Sequence, residues 1–136
     1  MIGFDISPIQ PSWVPPNVKF EIDDACRPWT YPDNSFDFVH IRYLFGSIDD
    51  WNALFKEAYR VLKPGGYIET FEAASTFQSD DGSLAEDSPF HQWGKVFVEA
   101  GKKFGRSFSV IEDNTQQSAL AAAGFVDQDV MDYKVS

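Results

Sequence analysis

Residues 49–72 read DDWNALFKEAYRVLKPGGYIETFE, and the pattern in this stretch decides the fold. Trp51, Leu54, Phe55, Ala58, Tyr59 and Leu62 follow the i, i+3, i+4, i+7, i+8, i+11 spacing that gathers one apolar stripe along a helix. Asn52, Lys56, Glu57 and Arg60 take the other face. Ser47, followed three positions on by Asp50, resembles a capping box, and Pro64 cannot continue a helix, so the spacing predicts a helix over about 49–62. Gly65 and Gly66 supply the positive φ needed to reverse direction, and Tyr67 to Phe71 is rich in strand formers. A helix feeding a strand this directly predicts an α/β layered domain.

Outward from that stretch, Met1 to Ile6 is an apolar run ending near an acid and reads as a short buried strand. Residues 7–17 hold four of the eight prolines, which excludes an ordinary helix. Val18 to Asp23 alternates apolar and polar, as a half-buried or edge strand does, and Phe36 to Ile41 reads as a third strand after a turn-rich loop over Trp29 to Ser35. Beyond the fourth strand, Ala73 to Asp87 is small, polar and acidic, as a surface loop or lid would be. Ser88 and Pro89 then open a helix to about Phe104, with Trp93, Val96, Phe97, Ala100 and Phe104 on one face and Lys95, Lys102 and Lys103 beside it. Asp113 to Ala123 predicts a short helix closed by Gly124, and Phe125 to Tyr133 alternates as an edge strand would.

Composition narrows the function. At 136 residues the chain is one domain at most, and thirteen Phe with four Trp demand a large apolar interior. Eleven basic against 21 acidic side chains leave a net charge of −10, which repels phosphate backbones, so no nucleic-acid partner is expected. Cys26 alone cannot form an internal disulfide, the chain opens without a charged and apolar leader, and no apolar run approaches the roughly 20 residues that span a bilayer. These features predict a soluble, intracellular protein, cytoplasmic or nuclear, with no membrane partner.

In open α/β sheets ligands bind at the carboxyl ends of the strands. Asp5 lies at the end of the first, where an acid suits a ribose diol, and Asp24 follows the second, where a carboxylate can accept from an exocyclic amine. His40 and Arg42 lie at the end of the third, and Glu72 leaves the fourth. Each has a plainer role open to it: a turn cap for either Asp, a core position for His40, an ion pair for Arg42, a solvated surface for Glu72. Their common placement raises them together as a site. No glycine-rich phosphate loop and no serine nucleophile elbow is present, and one cysteine with His40 and His91 does not make a zinc centre, so no metal is expected.

Three segments carry a family resemblance: GFDISPIQPSWVPPNVKFEIDDA over 3–25, YPDNSFDFVHIRYLFGSIDDW over 31–51, and LFKEAYRVLKPGGYIETFE over 54–72. In this order and spacing the sequence resembles the class I S-adenosylmethionine-dependent methyltransferases, and more narrowly the LaeA-like fungal branch associated with secondary metabolism. The resemblance implies a Rossmann-like, three-layer α/β/α sheet. It also implies S-adenosylmethionine as cofactor, with Asp5 on the ribose, Ile6 packed on the adenine, and Asp24 and Ala25 at the adenine edge. His40 to Arg42 would border the methionine moiety, and Glu72 would lie where the acceptor approaches. The family's first strand, glycine-rich loop and helix have no counterpart here, and residue 136 falls near the end of its sixth strand. The resemblance therefore implies one partial domain over 1–136, with residues 1–73 as the cofactor half and 74–136 as the acceptor-side loop, helices and terminal strand.

Methyl transfer to a small-molecule or protein acceptor is the first functional reading, with His40 and then Glu72 as candidate bases should one be needed. The alternative is a non-catalytic, methyltransferase-like regulator that binds a protein partner, or an inactive gene fragment.

Overall fold

The structure is a computed structural model and describes residues 1–134. Its elements in order are β1 (Ile2–Asp5), β2 (Lys19–Ile22), β3 (Phe36–Arg42), α1 (Trp51–Val61), β4 (Leu62–Phe71), α2 (Pro89–Phe104) and α3 (Thr115–Ala123). β1 pairs in parallel with β2, and β3 in parallel with β4. The result is an incomplete Rossmann-like α/β arrangement in which the two parallel pairs remain separate two-stranded sheets.

The helix forms for the reason its sequence gives. Trp51, Leu54, Phe55, Ala58 and Val61 are buried, and Phe55, Ala58 and Val61 are wholly inaccessible. The cap is Asp50 rather than Ser47: its Oδ1 accepts from the Ala53 N–H at 3.0 Å. Tyr59, read as part of the stripe, is half exposed and meets Phe125 edge-on at 5.1 Å. The expected strand at Tyr67 starts earlier. Leu62 is already extended and pairs with Phe36, and an irregularity between Phe36 and Phe38 absorbs the intervening turn. Of the two glycines only Gly65 has positive φ, at +81°. Gly66 is needed for space, since a Cβ there would stand 2.9 Å from the Lys63 carbonyl and 3.0 Å from that of Asp37.

Ile41 is buried and Val39 and Ile68 pack against the core on the α1 side of the β3–β4 pair. α3 joins the same side, where Gln116 Nε2 donates to Thr70 Oγ1 at 2.9 Å. The opposite face stays open, with Phe38 54% and Tyr67 75% exposed, so among the described residues the sandwich has two layers where three were expected. α2 has the expected bounds and its Ser88 cap, but its buried residues are Gly94 and Gly101. Trp93, Val96 and Phe104 face outward, because close glycine packing against residues 75–76 and 106–108 outcompetes the apolar stripe. Phe125 to Tyr133 forms no strand. Its alternation meets no partner backbone, and Val126, Met131 and Tyr133 stay exposed.

Two polar clamps tie loops to this frame. Arg60, on the helix face opposite the apolar stripe, donates from Nη2 to the Trp29 carbonyl at 3.0 Å and from Nη1 to the Tyr31 carbonyl at 2.8 Å and Asp33 Oδ1 at 2.6 Å. It also forms a fork with Glu57, through Nε to Oε1 at 3.0 Å and Nη2 to Oε2 at 2.8 Å. The Trp29 N–H donates to the same Glu57 carboxylate at 2.8 Å, and this residue of the turn-rich loop is core at 8% exposure. At the other clamp, Glu72 Oε1 accepts from the Leu44 N–H and Oε2 from the Phe45 N–H, both at 2.9 Å. Burial raises the Glu72 carboxyl above its ordinary value, and the two N–H donors offset part of that rise.

Replacing Arg60 by Met leaves two loop carbonyls without their donor and the Glu57 carboxylate with only the Trp29 N–H, and is expected to cost about 2–4 kcal/mol in urea unfolding. Arg60→Lys should recover only part of this, because an ammonium cannot serve a fork; a wild-type midpoint for Arg60→Met would contradict the clamp. For Glu72 the raised acid contributes stability that is present at low pH and lost as pH rises through its titration. The advantage of wild type over Glu72→Gln should therefore shrink as pH rises above the ordinary Glu range. A difference that is flat or grows above that range would mean that burial does not dominate at Glu72.

Candidate functional site

Parallel pairing sets Asp5 opposite Ile22, and the Asp23 N–H donates to the Asp5 carbonyl at 3.1 Å, so the chain leaves both strands side by side. Each exit is an Asx turn. Asp5 Oδ1 accepts from the Ser7 N–H at 2.8 Å, and Asp24 Oδ1 from the Cys26 N–H at 2.9 Å. Arg27 Nε lies 3.6 Å from Asp24 Oδ2. Asp5 Oδ2 has no partner among the described residues. Ile6, next to it, is 68% exposed and offers an apolar surface. Ala25 is half-buried against the core, and its carbonyl accepts from the Trp29 indole N–H at 3.3 Å. The plain turn role and a ligand role are thus compatible at Asp5, since one oxygen serves each.

The other candidates divide. His40 sits on the open face of the β3–β4 pair, with Nδ1 2.8 Å from Glu69 Oε2 and its ring stacked on Phe38 at 6.4 Å. Arg42, two residues on, is exposed and holds its guanidinium over Tyr43 at 5.1 Å and over Phe71 at 5.8 Å. Glu72 has both carboxylate oxygens committed to the loop after β3. It shapes that loop rather than standing free in solvent. Among the described residues no three His, Cys, Asp or Glu side chains converge as a metal site.

Three segments converge on one backbone atom. The Ser47 carbonyl lies 3.6 Å from the Cys26 Sγ and accepts from Arg106 Nη1 at 2.7 Å. Through it the turn carrying Asp24, the loop after β3 and the turn after α2 come together. Sequence reading missed Glu69, which follows once the parallel register opposes His40 to it. It also missed Arg106 and Phe108, whose approach to Gly46 and Ser47 spans about sixty residues and leaves no local signal.

Comparison with known proteins identifies the family. A family model described as a methyltransferase domain matches residues 1–130. Methyltransferase pytC of Aspergillus terreus is 41% identical over 107 residues, which cover 79% of this chain and 33% of that protein. The secondary metabolism regulator LAE1 of Cochliobolus heterostrophus is 36% identical over 129 residues, covering 93% of this chain and 41% of that one. The chain thus spans between a third and two fifths of these relatives' lengths. A solved structure from Thermotoga maritima, titled a SAM-dependent methyltransferase and possible histamine N-methyltransferase, aligns at a TM-score of 0.48 with 24% identity, over 81% of this chain and 46% of that one. On the extent of the family match, from residue 1 to residue 130, the chain belongs to the methyltransferase domain family.

Proposed function

We propose that this chain provides much of the cofactor platform of an S-adenosylmethionine-dependent methyltransferase linked to fungal secondary metabolism. The observation that carries the reading is the pair of carboxylates at the ends of two adjacent parallel strands, Asp5 with one oxygen unengaged and Asp24 beside it. Carboxylates accept hydrogen bonds from hydroxyl and amine donors, which a nucleoside presents as its ribose diol and exocyclic amine. The exposed Ile6 supplies an apolar surface for a planar base. Asp5, Ile6, Asp24 and Ala25 would therefore hold the nucleoside end, and Arg42 would attract the carboxylate of the methionine end.

S-adenosylmethionine, when bound, supplies a methyl group activated on a sulfonium. The chain's own work is then to position the acceptor and keep water from it. Glu72 acts through the Leu44 to Phe45 loop by holding its backbone. His40 keeps Nε2 available for proton transfer but lies on the open sheet face, so neither group is assigned as a base. The acceptor is a small-molecule or protein group.

Calorimetric titration of S-adenosylmethionine into the chain should give micromolar binding, about −8 kcal/mol, and Asp5→Ala should weaken it about tenfold. No heat from a sample with a cooperative unfolding transition would remove the cofactor reading, and equal affinity in the variant would move the ribose contact elsewhere.

A further inference from the structure

α2 and the turn behind it enclose an apolar groove of about 410 Å³, lined by Gly46, Phe97, Ala100, Phe104, Arg106 and Phe108. Phe108 is its floor. A Cβ on either Gly46 or Gly101 would collide with the Phe108 ring, and Gly46 also has φ +71°, so both glycines make the seat. Phe97 packs on that ring at 5.3 Å and Phe45 backs it edge-on at 5.8 Å. Phe104 stands at the rim, 79% exposed.

The wall is fixed to the loop rising from β3. The Gly46 N–H donates to the Ser107 carbonyl at 2.7 Å, and Arg106 Nη1 to the Ser47 carbonyl at 2.7 Å. Phe45, behind Phe108, meets Tyr43 at 6.5 Å, and the Arg42 guanidinium stands over the Tyr43 ring at 5.1 Å, so the aromatic contacts lead from the groove toward the proposed methionine end. Aromatic walls favour a ring that can meet them edge to face. One guanidinium donor is taken by Ser47, and the remaining N–H groups are suited to a carboxylate or phenolate.

We propose that this groove binds a planar aromatic molecule of two or three rings carrying an anionic oxygen, and that this is the chemical class of the methyl acceptor. The acceptor role rests on the methyltransferase reading above; the binding itself does not.

The test is a fluorescence titration of 1-hydroxy-2-naphthoate into the full chain, beside neutral 2-naphthalenemethanol and aliphatic decanoate. Saturable binding of both ring compounds is expected, with decanoate weaker. Phe104→Ala, which removes an exposed rim and no core, should weaken both ring compounds several-fold. Arg106→Gln should weaken the naphthoate about tenfold, the scale of one charge-assisted contact, while leaving the alcohol nearly unchanged. An unchanged alcohol affinity also shows that the groove survives the substitution. Absence of saturable binding, equal binding by both variants and wild type, or preference for decanoate would overturn the proposal. So would a parallel loss of acid and alcohol in Arg106→Gln. Naphthoate binding without methyl transfer in the presence of S-adenosylmethionine would count against the enzymatic reading and leave the groove standing, so the two failures are distinguishable.

Discussion

The guanidinium of Arg60 is the constraint on which the rest of the structure depends. It leaves α1 sideways and takes the carbonyls of Trp29 and Tyr31, backbone groups that a loop packed against a core must otherwise leave unsatisfied. With those groups paired, Trp29 can be buried, and Phe4 of β1 packs edge-on against it at 5.5 Å. Tyr31 continues the line to Phe36 of β3 at 5.1 Å and donates to Glu21 of β2 at 2.7 Å. The β1–β2 pair is therefore joined to the helical core through aromatic rings that one ion cluster positions. Its side chain is 31% exposed, so water screens part of the charge, but the fork geometry with Glu57 keeps the guanidinium in register.

Much of this was legible from residue order, and what was legible was local. The stripe of α1, the Ser88 cap with Pro89 behind it, and Gly124 closing α3 rest on interactions within about four residues, and they recur in the fold. What escaped was decided at long range. Glu57 and Arg60 sit where a polar helix face points to solvent, and only the returning 29–33 loop makes them interior. The outward stripe of α2 is another case: Gly94 and Gly101 let backbone approach more closely than Trp93 or Phe104 could. Phe125 to Tyr133 shows that alternation supplies a face without supplying a neighbour, and an isolated extended segment gains no ladder hydrogen bonds.

The candidate site divides in the same way. Asp5 and Asp24 could be placed at strand exits because Asx turns are written in the two residues that follow. His40 could be located but not its partner, since Glu69 becomes adjacent only through the register of β3 on β4. Glu72 was legible as a position and illegible as a role: its donors, the Leu44 and Phe45 amides, lie nearly thirty residues upstream. The aromatic groove was invisible, because the glycines that seat Phe108 are 55 residues apart, Gly46 and Gly101.

The separation of the two parallel pairs has a consequence for dynamics. β1 and β2 share ladder bonds only with each other, and their link to the remainder runs through side chains. Such a pair can open as its own cooperative unit without unfolding α1 or the β3–β4 ladder. Asp5 and Asp24 both ride on that unit, so each opening event withdraws both carboxylates together. The apparent affinity for any ligand held by them is then the intrinsic affinity multiplied by the fraction of time the pair is closed. Amide exchange in β1 and β2 and ligand affinity would report the same equilibrium, and substitutions at Tyr31, which joins β2 to β3 without belonging to the candidate site, would act on binding through it.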